Sequence, residues 1–84
     1  GGFSAAATEI DLRGQRVDAA LDKVEGLLND AALAGGSNVR IIHGKGTGAL
    51  RQAIREYLDG HPLVESLAAG EGSGGDGVTV VALR

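Results

Sequence analysis

The sequence predicts a two-layer α/β sandwich in which a mixed four-stranded sheet carries both helices on one face. Two segments of helical periodicity alternate with short strand-like runs, in the order β-α-β-α-β-β. The longer helix joins the first two strands, which makes them parallel neighbours through a right-handed crossover. The last two strands are separated by a glycine-rich stretch and are expected to pair as a hairpin.

From Glu9 to Arg13 polar and apolar residues alternate, the mark of a short half-buried strand. Ile10 and Leu12 share one face, while Glu9, Asp11 and Arg13 share the other. Gly14 ends the strand. Val17, Ala20, Leu21, Val24, Leu27, Leu28 and Ala31 then form one helical apolar stripe, stopped by Gly35-Gly36. Val39 to Ile42 is a mostly apolar strand and is expected to be central. Thr47 is the expected N-cap of a second helix with the stripe Leu50, Ala53, Ile54, Tyr57 and Leu58, closed by Gly60 and Pro62. A third strand is expected over Leu63 to Leu67, a mobile connection over Ala69 to Gly77, and a final β-branched strand over Val78 to Leu83. Residues 1–8 are small and featureless and are expected to be a flexible tail, leaving 9–84 as the domain.

Eighty-four residues make one domain, and a chain of that size buries about 60–65% of its unfolded surface in a single core. With one Phe, one Tyr and no Trp, the core must be aliphatic. Zero Cys removes disulfides and thiolate metal sites, in keeping with an expected cytoplasmic location. There is no Met, so a piece of a longer protein is expected, with Gly1-Gly2 as a cloning remnant. No apolar run approaches the roughly 20 residues of a membrane-spanning helix. The formal net charge is −3, so any binding to nucleic acid must come from a local basic cluster.

Ligands of open α/β sheets gather beyond the carboxyl ends of parallel strands, where helix N-termini converge. The first strand ends at Asp11-Leu12-Arg13-Gly14 and the second at His43-Gly44-Lys45-Gly46. Adjacent parallel strands make these two tetrapeptides neighbours. In HGKGTG, Gly44, Gly46 and Gly48 alternate with His43, Lys45 and Thr47, so that successive N–H groups can form an anion-binding concavity. Lys45 adds a full charge, and Arg51 and Arg55 follow on the helix as further phosphate contacts. The GxxxxGK[ST] spacing of a Walker loop is absent. The plainer alternative is a glycine turn with a solvated lysine.

In EIDLRG, Arg13 is placed to grip a phosphate bidentately, and Asp11 to orient a base, to act as one or to hold a metal, the plainer alternative being ordinary exposed residues of a half-buried strand. Glu9 and Asp11 are the only nearby carboxylates, so no tightly bound ion or other cofactor is expected. His43 is either a general acid or base or a histidine that fixes the loop through a backbone hydrogen bond. His61, before Pro62 in a turn, is expected to be structural.

EIDLRG, a helix, RIIHGKGTGALR and GGDGVTVVAL, in that order, resemble the Smr (small MutS-related) domain over about Glu9 to Leu83. The arginine at position 13 and the uninterrupted HGKGTGALR run are similar to the domain at the C-terminus of bacterial MutS-like proteins that restrain recombination. Other Smr proteins more often have histidine where Arg13 stands. The resemblance implies a fold shared with the C-terminal domain of a bacterial translation initiation factor. It also implies endonucleolytic cutting of DNA, branched or duplex, or of RNA, with RNA or the ribosome as further partners. It places catalytic roles on Asp11, Arg13, His43 and Lys45, with Glu9 beside them, and ATPase and clamp portions upstream of Gly1.

The expected activity is phosphodiester hydrolysis of low sequence specificity. Arg13, Lys45 and the loop from Gly44 to Gly48 would hold the phosphate, and Asp11 or His43 would activate the attacking hydroxyl or water. The competing expectation is a non-catalytic nucleic-acid or ribosome-binding module that uses the same cations. A site for a phosphorylated small molecule fits the loop, but no aromatic is at hand to line a deep pocket.

Overall fold

The computed structural model describes residues 9–70 and 75–84. Along the chain run β1 (Glu9–Asp11), α1 (Val17–Leu33), β2 (Asn38–Ile42), α2 (Ala49–Leu58), β3 (Val64–Ala69) and β4 (Val78–Leu83), with a 3-10 turn at Gly75–Gly77 before β4. The sheet order is β1-β2-β4-β3. β1 pairs with β2 in parallel, Asp11 opposite Ile42. β4 runs antiparallel to β2 and to β3. The sheet is mixed, β2 is central and the last two strands pair, as the sequence predicts.

α1 turns Ala20, Val24, Leu28 and Ala31 into the core, with Leu21 and Leu27 packed at its margin. Val17 departs from the expected stripe. It stays 39% exposed, because the first turn of α1 lies beside an open cleft next to the β2–α2 loop. Past Ala34 the N–H groups of Gly35 and Gly36 return to the carbonyls of Ala32 and Ala31, which ends the helix. α2 buries Ile54 and Leu58, with Leu50 and Tyr57 half-buried. Its cap is Gly48 and not Thr47: the chain turns into the helix at φ +83°, a left-handed conformation that glycine takes without strain. The Thr47 hydroxyl, one residue earlier, still accepts the Ala49 N–H at 3.3 Å.

β3 ends at Ala69 instead of Leu67, since Ala68 and Ala69 pair with Val80 and Thr79 of β4. The connection to β4 is correspondingly shorter. The expected tail at 1–8 and the middle of the expected mobile connection, 71–74, lie outside the described residues.

Strand alternation divides the sheet residues. Leu12, Val39, Ile41, Val81 and Leu83 face the helices and are buried. Glu9, Asp11, Arg40 and Ile42 are in register on the opposite face. Two positions on from Ile41, the same alternation carries His43 into the core, where it is 5% exposed. Truncating a fully buried side chain such as Leu28 or Ile54 to Ala should cost about 2–5 kcal/mol. No helix among the described residues is long and apolar enough to cross a membrane.

Candidate active site

The two tetrapeptides meet. Beyond β1 the pairing continues for one residue, with Leu12 N–H donating to the Ile42 carbonyl at 2.7 Å. The Arg13 stem then lies across Gly44. A Cβ at position 44 would stand 3.1 Å from Arg13 Cγ, and Gly44 has φ +79°. Glycine is needed there for close approach and for backbone conformation together. Arg13, Ile42, Gly44, Lys45, Gly77 and Val78 line one concavity of about 450 Å³. On the other side of the loop a cleft of about 340 Å³ opens between the start of α1, with Arg16, and the run Gly46-Thr47-Gly48 leading to Arg51.

Asp11 and Arg13 form a tight exposed pair. Both carboxylate oxygens accept from the guanidinium, Oδ1 from Nε at 3.0 Å and Oδ2 from Nη2 at 2.7 Å. Oδ1 also accepts the Arg13 backbone N–H at 3.0 Å. The guanidinium, followed by that backbone donor, holds the Asp11 carboxyl below the usual carboxylate range. Glu9 stands apart, two residues back along β1, in an ion pair with its cross-strand neighbour Arg40 at 3.6 Å. Among the described residues no three His, Asp or Glu side chains gather as a metal site.

His43 lies beneath the loop. Its Nδ1 is 3.0 Å from the Gly44 carbonyl and its Nε2 is 2.8 Å from Thr79 Oγ1. A carbonyl can only accept, so Nδ1 carries a proton, and in the neutral ring Nε2 then accepts from the Thr79 hydroxyl. Of the two roles the sequence leaves open, this is the geometry of the histidine that fixes the loop. Arg55 is bonded to the same hydroxyl: its Nε donates to Thr79 Oγ1 at 3.3 Å from a half-buried position on α2. The reason is tertiary, since the face of α2 that carries Arg55 packs against β4. Arg51 Nε and Arg55 Nη2 are buried without a hydrogen-bond partner among the described residues. Thr79, fully buried at the hub of this chain of bonds, was not among the residues expected from sequence. Its signal is faint: one hydroxyl in the apolar run VTVVAL.

The N–H groups of both His43 and Gly44 donate to the Gly77 carbonyl, at 2.9 and 3.0 Å. The loop is thereby fastened to the turn that leads into β4. Lys45, Gly46 and Thr47 project from this fastened base and are exposed.

The Smr domain family matches residues 10–84. The chain belongs to the Smr family. Endonuclease MutS2 of Bacillus velezensis is 54% identical over 77 residues, which are 90% of this chain and 10% of the relative. The chain therefore spans about a tenth of the length of such relatives. The crystal structure of the Smr domain of Thermus thermophilus MutS2 superposes with a TM-score of 0.88 at 55% identity, over 92% of this chain and 98% of that one. YdaL, a stand-alone small MutS-related protein from Escherichia coli, gives 0.87 at 27% identity, over 99% of this chain and 69% of its own. The expected Smr resemblance and its α/β fold are both confirmed. In this Smr domain the two motifs divide by face, Asp11 and Arg13 outside the sheet and His43 inside it, with the glycine loop between them.

Proposed function

We propose that this Smr domain cuts phosphodiester bonds in nucleic acid, as a nuclease part of a MutS-like protein. The observation that carries this reading is the Arg13 side chain lying across Gly44, with Lys45 in the same concavity. Two cations from separate motifs then line one concavity. Arg13 takes the phosphate through the part of its guanidinium that Asp11 does not use, or exchanges Asp11 for it. The second route is open because the pair lies at the surface, where phosphate can reach the guanidinium. Lys45 and the loop amides stabilise the charge that builds on the phosphoryl oxygens. Once phosphate draws Arg13 away, Asp11 regains basicity next to the reacting group and can take a proton from the attacking hydroxyl or water. Relatives named endonuclease support the assignment to nucleic acid.

One observation favours a rival, a domain that binds nucleic acid or the ribosome without cutting. His43 has both ring nitrogens engaged, and Asp11 is held ionised by Arg13. The deciding assay compares the wild type with Asp11→Asn on matched DNA and RNA, with and without chelator. Cleavage that disappears in Asp11→Asn while affinity persists is the expected result. Binding without cleavage in the wild type, in every buffer, would establish the rival. The same assay decides between DNA and RNA and reports any need for a divalent ion.

A further inference from the structure

The buried relay beneath the loop has a consequence for its outer side, and it deepens the phosphate-site reading, on which it rests. Thr79 occupies an inward position of β4, where its neighbours on the same face are Val81 and Leu83. Valine has nearly the same shape and would bury more apolar surface there, so the hydroxyl is accounted for by its bonds and not by packing. Arg55 Nε can only donate. Thr79 Oγ1 accepts that bond at 3.3 Å and turns its own hydrogen to His43 Nε2 at 2.8 Å. The Gly44 carbonyl can only accept, so the proton on His43 Nδ1 holds it at 3.0 Å on the inner side of the loop, and Nε2 is left to meet the Thr79 hydroxyl. Among the described residues every peptide bond is trans. In a planar trans peptide the C=O and the following N–H point opposite ways. The Lys45 N–H is therefore turned away from the His43 ring, toward the outer side of the loop.

We infer that Thr79 and Arg55 are positioning residues: through His43 they hold the Gly44–Lys45 peptide with its N–H edge toward a bound phosphate. Neither residue touches the substrate. Arg55 supplies the donor that orients the Thr79 hydroxyl, and Thr79 fixes the tautomer of His43. The loop thus keeps its donors aligned before a ligand arrives, which is what makes such donors effective on a developing oxyanion.

The test uses this chain, since the matching Thermus Smr domain was crystallised as a chain of nearly the same extent. Inorganic phosphate is titrated into the 15N-labelled protein, and nicking of supercoiled plasmid DNA is measured alongside. Thr79→Val should weaken the phosphate-induced shifts of the amides at 44–48. It should slow nicking about ten- to hundredfold, the scale of a donor misplaced by an ångström or less. Thr79→Ser keeps the hydroxyl and loses a buried methyl, so it should melt lower than the wild type yet nick near the wild-type rate. His43 nitrogen shifts should report the Nδ1–H tautomer in the wild type and in Thr79→Ser, and a mixture in Thr79→Val. Nicking that follows melting temperature across the two variants, or a wild-type response in Thr79→Val, would overturn the positioning role alone. Absence of any phosphate response at 44–48 in the wild type would overturn the phosphate site and this role with it.

Discussion

The molecule uses two histidines in opposite ways. His43, at the start of the glycine loop, carries its proton on Nδ1 and braces a backbone carbonyl. His61, past the C-terminal end of α2, accepts the Leu63 N–H on Nδ1 at 3.1 Å and donates from Nε2 to Glu25 Oε1 at 2.7 Å. Tyr57 donates to the same carboxylate oxygen, and Asn29 to the other at 3.0 Å. The Tyr57 hydroxyl first, then His61 and Asn29, bring the Glu25 carboxyl down to about 2, and Glu25 in turn pushes the Tyr57 phenol up to about 12. This clamp ties α1 to α2 and to the turn into β3. Titratable groups with displaced pKa values are often read as functional sites. Here the more displaced cluster is a fastener, and the proposed site is built on an exposed pair and a glycine loop. Partners decide a histidine's role, and displacement alone does not locate the chemistry.

The contrast breaks most sharply at Gly44. Gly44→Val meets Arg13 Cγ and must hold φ near +79°, a conformation that β-branched residues resist. Cleavage should fall by about hundredfold or more, since both the loop and the Arg13 stem move. His61→Ala, at the clamp, should leave cleavage per folded molecule unchanged. Equal losses in the two variants would mean that the clamp belongs to the site.

Next in size is the coupling of the two motifs. Asp11→Asn should lose most cleavage while keeping or improving affinity, because a negative charge near the substrate is gone. Lys45→Ala should lose both, since it removes a phosphate contact and a stabilising charge. The double variant should be hardly slower than the worse single one, as groups acting as a unit are non-additive. Losses that multiply in the double variant would show two separate sites.

What was legible in the sequence follows from what is local. Helix stripes placed α1 and α2, alternation placed β1, a short apolar run placed β2 and a β-branched run placed β4. The meeting of Arg13 with Gly44 also followed, since parallel neighbours bring their carboxyl ends together. Ala68 and Ala69 carry no alternation, so the end of β3 depended on pairing with β4 and was missed. Arg55 sits one turn beyond Arg51 and looked like a second phosphate contact. Its engagement with Thr79 spans 24 positions, which no local pattern encodes. Thr79 was hidden for the same reason. His61, expected to be structural from its turn before Pro62, is held there by the Leu63 N–H and, beyond any local pattern, by Glu25.

The clamp should also set the response to acid. Glu25 titrates lower in the folded chain than its ordinary value of 4.5, so its contribution is complete above that pH. It is lost as the pH falls toward about 2, because the unfolded chain takes up the proton first. Asp11, lowered by Arg13, acts in the same direction. Glu25→Gln should flatten the acid limb of a melting-temperature profile and lower the Tm at pH 7 by a few degrees. Asp11→Asn should flatten it less, since its pair is exposed. An unchanged acid limb in Glu25→Gln would show that other carboxylates govern acid unfolding.

The smallest effect expected is on salt dependence, and it tests how narrow the cationic site is. Arg13, Lys45, Arg16 and Arg51 line the two clefts beside the loop, whereas Arg40 pairs with Glu9 on the strands and Arg55 bonds to Thr79. Each phosphate neutralised on duplex DNA contributes about −0.9 to the slope of log K against log salt. Four cations then set a slope of about −3 to −4, and partial engagement a shallower one. Lys45→Ala should make it shallower by about 1. His61→Ala should leave it alone, because that residue lies at the clamp. Arg55→Gln is the sharper control: it removes a positive charge close to the loop from a side chain that is bonded to Thr79. An unchanged slope in Arg55→Gln, beside a slower cleavage rate, would separate holding the loop from holding the phosphate. A slope steeper than about −6 in the wild type would instead reveal a basic surface beyond these four side chains.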